Sequence, residues 1–173
     1  HRDLHYPLRR QRQMCIRDSL NSIEDISPLA NLTKISQLRI YDNQVKDISA
    51  LTGLDELVLL WAHGNQIEDI DALSGMHDMQ QLSLDDNAIS DISALGGMIR
   101  MKELFLTNNI IEDIAPLQRL QALEVLRLEN NSITDANAIA GLDQLRELSL
   151  ARNFSLDDVQ ALLDNRGIAA GDE

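Results

Sequence analysis

The chain has 173 residues, 44 % of them apolar but only 3 % aromatic, and a net charge of −13 from 28 acidic and 15 basic residues. That length suits one ordinary domain, and branched aliphatics with so few rings suit a core of many small, similar layers. A chain this acidic, with no basic stripe along it, repels phosphate backbones, which excludes nucleic acid and an anionic membrane surface as partners.

Residues 1–19 differ from everything after them. Five Arg against Asp3 and Asp18 give this stretch a charge of +3, which leaves −16 on the remainder. The run Met14-Cys15-Ile16-Arg17-Asp18-Ser19 resembles the translation of a transposon end used in preparing sequencing libraries, so residues 1–19 are read as a non-native or disordered segment. On that reading the native N-terminus lies elsewhere, and the missing signal peptide carries no information about compartment. Cys15 is the one cysteine, so no internal disulfide forms. No apolar run approaches the ~20 residues of a membrane-spanning helix, and no membrane insertion is expected.

From residue 20 onward one period rules the chain. Asn recurs every 22 residues at Asn21, Asn43, Asn65, Asn87, Asn109, Asn131 and Asn153. Five residues before each, from the second on, stand Leu38, Leu60, Leu82, Leu104, Leu126 and Leu148; two after stand Ile23, Val45, Ile67, Ile89, Ile111 and Ile133. Asp follows each Asn by four, from Asp25 to Asp157. Alternation in Leu38-Arg39-Ile40-Tyr41 and its equivalents predicts a short strand. The Asn marks the turn out of it. The following Asp-Ile-x-x-Leu-x-x-Leu segment spaces its apolar residues by three, which predicts a 3₁₀ or short helical return. Each unit is then one coil of strand, turn and return, and such coils are stable only when stacked.

The register fails after residue 153. Leu156, Val159, Leu162 and Leu163 fall at helical spacing, with Ser155 and Asp158 as a capping box and Gly167 as a stop, so 154–173 is read as a helical cap and tail. No equivalent lid precedes the repeats.

These residues resemble the leucine-rich-repeat family, and within it the 22-residue bacterial type found in internalins. The resemblance covers about residues 20–153, as six repeats. It implies an α/β solenoid: a leucine-rich-repeat arc with parallel strands on the concave face, 3₁₀ or short helical returns on the convex side, and protein binding on the concave face.

The Asn column is read as structural, its amides bonding to the backbone of adjacent coils. The Asp column is read as capping each return by accepting backbone N–H groups, because the glycine-rich loop that a calcium site favours is missing. No cofactor or metal is expected. Functional information lies instead where the repeat dictates nothing. Positions six, four and two before each Asn point out of the concave sheet, and Tyr41, Trp61 and Phe105, three of the four aromatics beyond residue 19, all fall there. With Arg39, Leu59, His63, Asp85, Val125 and Arg127 they form the candidate partner-binding set, since Trp, Tyr and Arg are typical binding anchors.

Ser83, His63 and Asp85 make a hydrolase triad on paper, but an open face without oxyanion donors argues against catalysis. The expected function is therefore non-catalytic recognition of a protein by a monomer, resembling the repeat region of surface or secreted internalins. An extracellular or cell-surface place is favoured over a cytoplasmic one. An intracellular scaffold resembling phosphatase regulators, or the recognition arm of a larger enzyme, are the alternatives.

Overall fold

The computed structural model describes residues 14–17 and 21–153. Among them seven parallel strands form one open sheet in chain order: β1 (Met14–Arg17), β2 (Ile35–Arg39), β3 (Leu59–Trp61), β4 (Gln81–Ser83), β5 (Glu103–Phe105), β6 (Val125–Arg127) and β7 (Glu147–Ser149). From β2 onward the pairing advances by 22 residues per strand, Leu38 beside Leu60 and Leu60 beside Leu82. The sequence period is therefore the structural period, and the predicted solenoid of strands and returns is present.

One strand was not expected. β1 lies inside the segment set apart by its sequence, and its Ile16 stands beside Leu38 and packs on the core. Ile16 precedes Asn21 by five, the offset of the leucine column. This pairing does not bear on where the segment comes from, because the unpaired edge of β2 accepts any extended chain within reach. The expected cap at 154–173 lies outside the described residues, as does Asp157.

The returns are 3₁₀ segments, as the spacing of three predicts. In the second coil Leu51 N–H donates to Ile48 O, Leu54 to Leu51 and Leu57 to Leu54, at 2.9, 3.0 and 3.0 Å. A 3₁₀ turn repeats every three residues, so Ile48, Leu51, Leu54 and Leu57 share one face and are all 2 % exposed or less. That face and the inward residues of the strands make one continuous core from Ile26 to Leu150. Each return opens on an Asp: Asp47 Oδ1 accepts the Ser49 N–H at 2.7 Å, and Asp25, Asp69, Asp91, Asp113 and Asp135 repeat the contact. The Ser49 N–H holds the Asp47 carboxyl below its ordinary range, and Ser27 and Ser93 do the same for Asp25 and Asp91.

The Asn column does what the sequence reading assigned to it. Asn109 Nδ2 donates to Leu84 O of the preceding coil at 3.0 Å and to Leu106 O of its own at 3.1 Å, while Oδ1 accepts the Ile89 N–H at 3.0 Å. Asn65, Asn87, Asn131 and Asn153 bond likewise.

From Asn43 on, the residue before each Asn has a left-handed backbone: Asp42, Gly64, Asp86, Asn108, Asn130 and Arg152 have φ between 53° and 64°. Asp, Asn and Gly tolerate that region best, so the column was visible in the sequence. Gly64 also faces Asp42, whose Oδ1 would lie 2.3 Å from an added Cβ. We expect Gly64→Ala to cost about 1–2 kcal/mol in urea unfolding, chiefly through the positive φ. An unchanged midpoint would show that the turn relaxes.

A candidate protein-binding face

The outward positions of β2 to β7 and the residues just beyond them form a face that the coil does not fill. Its first half is a group of planar side chains. Arg39 lies over the Trp61 ring at 4.5 Å, Tyr41 stacks on His63 at 4.6 Å with planes 8° apart, and Tyr41 and Trp61 centroids are 6.4 Å apart. All four side chains are half-buried, so they form a pre-arranged platform rather than a mobile fringe. The register that places Arg39 beside Trp61 brings these residues together from separate coils.

In the second half Arg127 lies 5.4 Å from the Phe105 centroid, and its Nε donates to Glu147 Oε1 at 2.7 Å. Val125 is half-buried beside Glu103 of the neighbouring strand. Leu59 is the exception among the nine candidates. At 7 % exposure, between Gln37 and Gln81 on the adjacent strands, it offers almost no surface to a partner. The outward direction was correct, but alternation alone does not reveal how far neighbours enclose a side chain.

A hydrogen-bonded chain joins the two halves. His63 Nδ1 is 2.9 Å from Ser83 Oγ, Ser83 Oγ donates to Asp85 Oδ2 at 3.2 Å, and Asp85 Oδ1 accepts the Thr107 N–H at 2.7 Å. Thr107 Oγ1 then donates to Glu129 Oε2 at 2.6 Å. The order matters for chemistry. A hydrolase triad needs the imidazole between hydroxyl and carboxylate, whereas here the hydroxyl sits between them. The Ser83 hydroxyl meets the imidazole on one side and the carboxylate on the other. Ser83 is 6 % exposed. The three residues that resembled a triad in sequence thus form a structural relay.

Burial pushes the Asp85 carboxyl above its ordinary range, against the opposing bonds from Thr107 and Ser83. Burial acts the same way on Glu129, but bonds from Ser149 and Thr107 outweigh it and hold that carboxyl low. A carboxyl raised in the folded state stabilises fully below its unfolded pKa and loses that contribution as pH rises through the folded value. We therefore expect Asp85→Asn, which keeps the acceptor for Thr107, to gain stability relative to the parent as pH rises through the carboxylate range. Paired thermal melts at several pH values check it, and a difference independent of pH contradicts it.

Among the described residues no three of His, Cys, Asp and Glu gather to hold a metal, and no helix is long and apolar enough to cross a membrane.

Two descriptions of leucine-rich repeats match the chain, one over residues 99–153 and a two-copy form over 55–97 and 77–119. No curated protein matches it in sequence. Among solved structures, internalin C2 of Listeria monocytogenes is 37 % identical at a TM-score of 0.81, with 86 % of this chain and 65 % of that one covered. A second Listeria monocytogenes internalin is 33 % identical at 0.77, covering 78 % and 40 %. A plant peptide hormone receptor in complex with RGF2, 21 % identical at 0.66 and covering 75 % and 22 %, shares the fold. The chain thus spans less than two thirds of each of these structures. The 22-residue register, the Asn ladder and these matches together establish that the chain belongs to the leucine-rich-repeat family, with repeats like those of the internalins.

Proposed function

We propose that the chain recognises a protein through the open face of its sheet and does no chemistry there. The observation that carries this reading is the platform of Arg39, Tyr41, Trp61 and His63, with the Phe105–Arg127 pair farther along the same face. The coil's packing requires none of these rings, since its core is closed by aliphatic and methionine side chains on the other side of the sheet. Preformed aromatic and Arg clusters supply large contact area with little ordering cost on binding. The internalin resemblance favours a place outside the cell or at its surface, acting as a monomer on a protein of another cell.

A photo-crosslinking side chain at Gln37 or Glu147 samples the open face, and one at Thr52 or Ser74 samples the exposed returns. A single protein crosslinked from the first pair and not from the second is the expected result. Crosslinking only from Thr52 and Ser74 overturns the reading.

A further inference from the structure

We infer that the second half of this face holds a basic side chain of the partner in a subsite made by Glu103, Phe105 and Val125; the inference rests on the reading of the face as a recognition surface. Four carboxylates lie on the face, and three are engaged. Asp85 accepts from Thr107 and Ser83, Glu129 from Thr107, and Glu147 from Arg127. The side chain of Glu103 has no partner among the described residues, although it is half-buried. The fold does not ask for an acid at this position, because the equivalent residues of the other coils are Gln37, Leu59, Gln81, Val125 and Glu147.

Gln81 stands beside Glu103 on β4, and the other side of Glu103 is apolar. Val125 lies beside it on β6, and Phe105 follows two residues along β5 on the same face. A carboxylate partly withdrawn from water, with a ring and a branched aliphatic next to it, suits a long basic side chain. The stem packs on Phe105 and Val125, and the cationic head meets Glu103. Nearby Arg127 does not supply this charge, since it already bridges to Glu147. The excess of negative charge over residues 20–173 draws a basic partner to this face rather than an acidic one.

Three blocked pentapeptides test it, Gly-Ala-X-Ala-Gly with X as Lys, norleucine or Glu, each titrated at low salt into the ¹⁵N-labelled chain. The Lys peptide should shift amides around residues 103–107 and 125–127 saturably, with norleucine weaker by about tenfold and Glu without effect. Glu103→Gln should weaken Lys binding by about the same factor, and salt should do so progressively. Equal binding of Lys and norleucine, shifts confined to other strands, no binding, or indifference to Glu103→Gln each overturn the inference. The peptides act without the partner, so a partner crosslinked from the open face beside an inert Glu103 removes this inference alone. Crosslinking from the returns removes the broader reading.

Discussion

Replacing Asn109 with Ala is expected to destabilise the chain by about 2–4 kcal/mol, and replacing it with Asp by more. Asn109 is 7 % exposed and sits mid-stack. With Ala in its place, Leu84 O keeps the amide of Asn87 and Leu106 O keeps that of Asn131, but the Ile89 N–H loses the acceptor Asn109 Oδ1 provides. A buried donor left without a partner costs ~1–3 kcal/mol, and the lost amide bonds add to it. An aspartate has the same shape and keeps that acceptor. It nevertheless sets an oxygen against the carbonyls of Leu84, Leu106 and Thr107, which Nδ2 now contacts at 3.0, 3.1 and 3.3 Å. Either the carboxyl takes up a proton or an uncompensated charge is buried. Urea unfolding of both variants checks the order. If Asn109→Asp proves milder than Asn109→Ala, the amide's donor role is not what the column supplies.

How much of this was legible depended on whether the repeat or its exceptions carried the information. Leu38, Ile48, Leu51 and Asn43 recur every 22 residues because every coil packs against a copy of itself, so one period revealed strands, returns and ladder together. The caps by Asp47 and its equivalents followed from residue type and position. The left-handed column from Asp42 to Arg152 is equally periodic, with Asp, Gly and Asn standing there until Arg152. β1 was not legible in the same way, because only Ile16 of its offsets matches the leucine column. Alternation placed Tyr41, Trp61 and Phe105 on the open face, where they stand. It was silent on the enclosure of Leu59 and on the order His63–Ser83–Asp85, since both depend on rotamers and neighbours rather than on period.

Replacing Trp61 with Ala is expected to weaken partner binding by ~2 kcal/mol or more, about thirtyfold, and Phe105→Ala by a comparable amount. Trp61 is half-buried, so a partner that covers it removes the remaining ring surface from water together with the Arg39 guanidinium above it. That pairing is fixed before binding, so little entropy is lost on contact. The fold should tolerate the change, because Trp61 lies outside the aliphatic core and its loss leaves β3 paired on both sides. The decisive measurement is a calorimetric titration of the partner recovered by crosslinking against the parent chain, Trp61→Ala, Phe105→Ala and Ser74→Arg, with each variant's melting temperature measured alongside. Loss of affinity in the first two variants, with Ser74→Arg on the exposed return binding like the parent, is the predicted result. Unchanged affinity in both ring variants, or loss in Ser74→Arg alone, would contradict recognition through the open face.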